Sequence, residues 1–221
     1  DYPEGKLQFV FVTDGSDDGT PDAVAKHTDM QVLHTDIRGG KTAAIMRALP
    51  HIDTPITVLT DANTMLNPGA IKALVRHFQD ESVGVVAGEK RVRSREQEAA
   101  AGAGESLYWR FESWLKTKES ELGSTMGAAG ELYALRTHLH PDLEHDTILD
   151  DLVTSLRIAL AGYKVKYESQ AYALEAPSFS IADEMRRKVR IAAGGYQAIG
   201  RLPGMLNGFR RPLLSWMYLS H

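Results

Sequence analysis

The sequence contains no cysteine. That excludes disulfide scaffolds and thiolate metal sites and suits a reducing compartment. Basic charge is also scarce: 25 Lys and Arg stand against 29 Asp and Glu, a formal net charge of −4. Without a positive field, nucleic acid is a poor partner. No apolar run reaches the roughly 18 residues of a membrane-spanning helix. What is present is length, 221 residues with 43% hydrophobic. That is enough to bury a substantial core, as one domain or one domain with an appendage. The chain opens on Asp1–Gly5, a short polar lead directly before a strand. That start is abrupt for a natural amino terminus and points to a piece cut from a longer protein.

Strand and helix patterns alternate from there. The β-branched and aromatic run 8–13 is continuous, as in a strand covered on both faces. Thr20-Pro21 then supplies a helix start. Residues 30–36 read as a second strand, 41–52 as a helix ended by Pro50, and 56–60 as a third strand. Asn67-Pro68 opens another helix before the strand 83–92. Such alternation predicts an α/β fold: a doubly wound, mostly parallel sheet with helices on both faces. Further on, Leu107, Phe111, Trp114 and Leu115 recur at helical spacing within 96–122, which predicts a long helix packed on the sheet. Residues 150–169 read as a helix closed by Gly162 and a following strand. A basic helix, 181–199, is interrupted by Gly194-Gly195.

Three acidic positions share one logic. Asp14 ends the first strand, Asp61 ends the third, and Asp150-Asp151 sit at a helix start. Strand carboxyl ends form the ligand crevice of an open parallel sheet, so Asp14 and Asp61 belong to one rim. Two of them also have a plain alternative: turn formers at Asp61-Ala62-Asn63, and charge complementing the helix dipole at Asp150-Asp151. "RGGKT" (38–42) is not a P-loop, because Thr35 stands where that motif needs a glycine. It remains a Gly-Gly turn before a helix, where Lys41 and backbone N–H groups can meet an anion. "RRKVR" (186–190) sets Arg187 and Arg190 on one helix face, suited to a diphosphate or simply an exposed basic stripe. "HLHPDLEHD" (138–146) has metal-ligand residue types, but its proline and lack of a helical or strand frame make it a loop.

In this order, "DGSDDGT", "GGKTAA", "TDAN", "GAAGELYALR", "DD…LRIALAGYKV" and "RRKVR" resemble glycosyltransferase family 2, in its membrane-bound branch related to cellulose and hyaluronan synthases. The resemblance covers about residues 1–200 and rests on the ordered set. It implies a GT-A fold and transfer of a sugar from a nucleotide diphosphate, with inversion at the anomeric carbon. The nucleotide would be held by Asp14 at the base, Asp61 at ribose and metal, Lys41, and Arg187 and Arg190 over the diphosphate. Mg²⁺ or Mn²⁺ would sit at Asp61 and Asn63. Asp151 would be the general base, with Asp150 the alternative; Gly127, Gly130 and Glu131 would line the acceptor end. The implied partners are a nucleotide sugar, UDP-sugar favoured, a carbohydrate or lipid-linked acceptor, and the membrane. The catalytic domain would occupy 1–195 and lie at the cytoplasmic face. The segment 196–221, which mixes Trp216 and Tyr218 with Arg210 and Arg211, would lead toward a transmembrane helix.

Asn63 replaces the second Asp of the family's metal motif, and Ile191 replaces the Trp that stacks on a growing chain in the polymerases. The expected enzyme is therefore non-processive, with a weakened metal site. The family's first strand and helix have no match here. That strand would lie between the strands at 7–13 and 56–60, so either its slot is filled by another segment or the two strands close up. Rival readings are a nucleotidyltransferase, a phosphatase with an Asp nucleophile, and a binding module with a degenerate site.

Overall fold

A computed structural model describes residues 2–92, 101–176 and 180–220, without the side chains of 101–109 and 181. Its amino-terminal unit is β1 (Phe9–Asp14), α1 (Thr20–Ala25) and β2 (Met30–Thr35), with β1 and β2 paired in parallel. The helix α2 (Lys41–Ala48) packs back on β1 and leads to β3 (Ile56–Thr60). Then come β4 (Thr64–Leu66), α3 (Ala70–Val75), β5 (Val83–Val92), α4 (Ala101–Leu122), β6 (Leu132–Arg136), α5 (Asp150–Leu160) and β7 (Lys164–Glu175). Two further helices, α6 (Ile181–Arg201) and α7 (Pro212–Ser220), close the chain.

The second sheet has the order β3-β6-β5-β7-β4. Parallel pairing joins β5 to β7; antiparallel pairing joins β3 to β6, β5 to β6 and β4 to β7. It follows that β3, β5 and β7 run one way and β6 and β4 the other. The expected α/β alternation holds, and the strand β6 laid between two co-directional strands makes the sheet mixed. Its central members are buried on both faces. Val85, Val86, Leu132, Tyr133, Ala134 and Leu135 are all essentially inaccessible. One face takes Leu74 and Phe78 from the α3 region. The other takes Ile158 and Ala159 of α5.

Two expectations about helices change. Phe111 and Trp114 do not face the sheet: both are exposed and stack on each other at 5.9 Å. The face of α4 that meets β7 is polar instead. Ser113 Oγ lies 2.9 Å from Tyr167 Oη, and Ser120 Oγ accepts from the Tyr167 N–H. The part of that helix at 96–100 and the Leu107 side chain lie outside the described residues. Gly194-Gly195 do not interrupt α6, which runs unbroken through them. A Cβ on Gly194 would come within 2.4 Å of Leu149 Cγ. The glycine is there for close approach to the chain leading into α5. Behind it, Ala198 and Leu202 join Met205 and Met217 in a third buried cluster, which docks α7.

β1 pairs with β2 alone and β3 with β6 alone, so the strands have not closed up. Each keeps one edge without a strand partner among the described residues. No residue before Met46 contributes to the buried apolar clusters. Local opening free energy follows buried apolar contact. Amides of the β1–β2 ladder should therefore exchange with deuterium on the order of 100-fold faster than those of β6. Equal protection of the two ladders would show instead that the amino-terminal unit is locked to the main sheet.

Candidate active site

The ends of β1 and β3 and the starts of α2 and α5 are tied together by side chains. Asp14 closes β1, and its Oδ2 accepts from the N–H groups of Gly39 at 2.9 Å and Gly40 at 2.6 Å. Arg47 reaches its Oδ1 at 3.4 Å. This ties the Gly-Gly turn to the strand and aims the next residue, Lys41, across the gap. Lys41 Nζ donates to Asp61 Oδ1 at 2.6 Å and reaches the Gly130 carbonyl at 3.4 Å. One residue on, Thr42 is buried and donates to the Thr147 carbonyl at 3.0 Å, fastening α2 to the loop before α5.

Asp151 stands on the first turn of α5, against Gly130. A Cβ on Gly130 would lie 2.9 Å from Asp151 Oδ2 and 3.2 Å from Lys41 Nζ, so a side chain there would push the two charged groups from their present places. Asp151 Oδ1 accepts from the Leu152 N–H at 2.8 Å. Burial and the neighbouring Asp150 carboxylate push Asp151 up to about 6, against the opposing pull of Leu152 and Lys41. Burial likewise raises Asp150, which is 5% exposed, although Lys41 opposes it. At Lys41, burial works against the charge, but Asp150, Asp61 and Asp151 outweigh it and raise its proton affinity. One ammonium thus serves three carboxylates, one beyond β3 and two at the start of α5.

A cleft of about 460 Å³ opens beside this cluster, lined by Lys41 and Asp150 on one side and by Arg186 and Arg190 of α6 on the other. Arg187 is turned away, 3.5 Å from Glu131 Oε1 and 3.8 Å from Glu184 Oε2. Glu131 also accepts from Lys90 at 2.5 Å. Burial would raise the Glu131 carboxyl, but Lys90 and Arg187 hold it below the usual range. Asn63 Nδ2 donates to Glu175 Oε1 at 3.3 Å, and Lys90 pairs with Glu175 as well. Gly127 lies under Leu152, the residue after Asp151.

Lys41, Asp61, Gly130, Asp150 and Asp151 are therefore one cluster, with Glu131 and Arg187 at its flank and Arg190 across the cleft. Lys90 and Glu175 were not marked by the sequence. A lysine late in one strand and a glutamate ending another carry no motif, and only the β5–β7 register brings them together. The stretch 138–146 is a short 3-10 turn and loop. No group of three metal-ligating side chains occurs among the described residues. Among the described residues, Asp61 keeps one oxygen clear of Lys41, and the Asn63 amide, donating through Nδ2, makes no bond through its Oδ1. Such a pair suits a divalent ion that brings most of its ligands as phosphate and water.

The model of the family described as glycosyltransferase like family 2 matches residues 1–194, and the chain belongs to that family. Its fold is the GT-A type. Among its relatives is the poly-β-1,6-N-acetyl-D-glucosamine synthase of Staphylococcus epidermidis. That protein is 22% identical over 209 residues, which cover 91% of this chain and 50% of the synthase. The Staphylococcus aureus synthase is also 22% identical, over 89% of this chain and 49% of its own length. The chain thus spans about half the length of these synthases. Among solved structures, the mannosyltransferase PcManGT from Pyrobaculum calidifontis, in complex with GDP-Man and Mn²⁺, superposes with a TM-score of 0.75 at 29% identity, over 90% of this chain and 56% of that one. S. aureus TarS 1-349 shares the fold, with a TM-score of 0.62 at 15% identity over 94% of this chain and 58% of its own.

Proposed function

We propose that this chain transfers a glycosyl group from a nucleotide-diphosphate sugar to an acceptor hydroxyl, inverting the anomeric carbon, with Asp151 as general base. The observation that carries the reading is the Asp151 carboxylate, raised to about 6 and set against Gly130 and Lys41 beside the arginine-lined cleft. A sugar hydroxyl is a weak nucleophile. A carboxylate positioned to take its proton as the new bond forms contributes roughly 10²–10⁴-fold. The acceptor oxygen bonds to the anomeric carbon, the bond from that carbon to the β-phosphate oxygen breaks, and the proton passes to Asp151. Arg190 and Lys41 then face a diphosphate whose negative charge grows as it leaves, so they favour the transition state over the ground state. Arg187 can join them by leaving Glu131. Asp14 and its Gly-Gly turn would support the nucleoside end.

A divalent ion held by Asp61 and Asn63 would neutralise the same leaving charge. The complex of PcManGT with Mn²⁺ supports such an ion. Its GDP-Man keeps guanosine sugars in view beside the favoured UDP-sugars. Ile191 in place of a stacking Trp favours single transfer over processive synthesis.

The natural test incubates the protein with a panel of UDP- and GDP-sugars, Mn²⁺ and candidate acceptors, and follows nucleoside diphosphate release. Asp151→Asn should keep nucleotide-sugar binding and lose transfer by roughly 10²-fold or more. The base acts only when ionised, so wild-type transfer should fall as pH drops through about 6. Near-normal transfer by Asp151→Asn would remove Asp151 from the mechanism, and no release with any sugar would remove the reading itself.

We also propose that the carboxyl-terminal region meets a membrane surface, with the catalytic domain on the cytoplasmic side. Phe209, Trp216 and Leu219 are exposed beside the exposed Arg210, a mixture suited to an interface. No helix among the described residues is long and apolar enough to cross a membrane. An apolar groove of about 370 Å³, lined in part by Tyr196, Ile199 and Leu219, begins at Leu152 beside Asp151. It would suit the hydrocarbon of a lipid-linked acceptor. Vesicles containing anionic lipid should pull the protein down, and Trp216→Ser with Leu219→Ser should weaken that binding. Absence of any wild-type binding would leave α7 as an ordinary packing helix.

A further inference from the structure

Six buried side-chain polar atoms have no hydrogen-bond partner among the described residues, and four of them belong to the surroundings of Asp150: Tyr133 Oη, His140 Nε2, Asp150 Oδ2 and Thr154 Oγ1. Asp150 and Thr154 are one turn apart on α5, and both are buried. Tyr133, wholly inaccessible on β6, belongs to the buried cluster against which Leu139, the neighbour of His140, packs. Unpaired buried polar atoms are costly, so four in one place need an account.

Their chemistry balances. The Tyr133 and Thr154 hydroxyls can donate; an ionised Asp150 oxygen can only accept. His140 Nδ1 lies 2.9 Å from the Pro141 carbonyl, which can only accept. Nδ1 therefore carries the proton, and Nε2 is a bare acceptor. Two donors match two acceptors in number. Charge ties the group together as well: burial, then Asp150, Asp151 and Asp61, push the Tyr133 phenol well above its ordinary range. Burial lowers His140, and the Asp150 charge acts against that.

We propose that Tyr133 is a positioning residue of the transfer site: its hydroxyl donates to Asp150 Oδ2, after a small side-chain rotation or across one internal water, and holds Asp150 ionised beside Asp151. Thr154 then serves His140. The role of Asp151 as base rests on the reading above; the bond from Tyr133 to Asp150 does not. A fixed charge at Asp150 disfavours a second charge at Asp151 and so strengthens Asp151 as a base. The charged and titratable groups around Asp150 are Asp151 beside it, Lys41 from α2, Asp61 after β3, Tyr133 and His140 from the β6 side, and Arg186 and Arg190 across the cleft. Those facing Asp151 are Asp150, Lys41 and Glu131.

The test is a carbon-13 NMR titration of the 221-residue protein carrying labelled aspartate carboxyls and tyrosine Cζ, with Asp150→Asn, Asp151→Asn and Tyr133→Phe used for assignment. In the wild type, the Tyr133 Cζ shift should follow the same midpoint as the Asp150 carboxyl. In Tyr133→Phe, loss of the donor disfavours the ionised carboxylate, so the Asp150 midpoint should rise by about half a pH unit or more. A Tyr133 signal that stays flat through the Asp150 midpoint overturns the proposal, as does an Asp150 curve unchanged in Tyr133→Phe. Should that variant not fold, the wild-type comparison decides alone. Neither measurement needs sugar transfer. A failed Asp151→Asn assay therefore leaves this result standing, and a flat Tyr133 signal leaves the assignment of the base untouched.

Discussion

The site depends on one ammonium group. Lys41 extends from the first residue of α2 to Asp61 beyond β3, and the charges of Asp150 and Asp151 at the start of α5 bear on it. Three carboxylates at one rim repel one another unless a cation lies among them. Lys41 comes from the helix packed on the two-stranded sheet and the carboxylates from elements of the five-stranded one, so this contact is also one of the ties between the sheets. The local structure serves the same end. Asp14 holds the Gly-Gly turn, the turn directs Lys41, and the missing side chain at Gly130 gives it room beside Asp151.

The basic helix completes the site from outside the sheets. Because Gly194 presents no Cβ to Leu149, α6 can lie across the start of α5 and bring Arg190 to the cleft. Arg187 is meanwhile engaged by Glu131, which also holds Lys90. Carboxylates and cleft-lining arginines are thus kept on opposite walls. That division matches a ligand with both kinds of charge, such as a metal-bound nucleoside diphosphate.

Much of this was legible in the sequence because strand ends and helix starts are local signals. Asp14, Asp61 and Asp151 fall where turn chemistry and hydrophobic periodicity place them, and the strand 83–92 has the expected bounds. Pairing was not legible. Nothing local tells that Leu132–Arg136 would run antiparallel between two co-directional strands, and the three-residue β4 is too short for a pattern. The outward Phe111 and Trp114 show that helical spacing finds a stripe without saying what covers it. Lys90, Glu175 and Tyr133 escaped because their surroundings come from sheet register. Gly194 looked like a break and is a contact, since glycine weakens a helix and also lets another segment approach closely.

The central claim is that the carboxylates around Lys41 accept a nucleoside diphosphate together with a divalent ion through Asp61. Calorimetric titration of the protein with UDP and GDP, in Mn²⁺ and in chelator, tests it directly when repeated on Asp61→Ala. The account predicts that Mn²⁺ tightens binding to the wild-type protein and has no such effect on the variant. Equal affinity with and without the ion in the wild-type protein would contradict it.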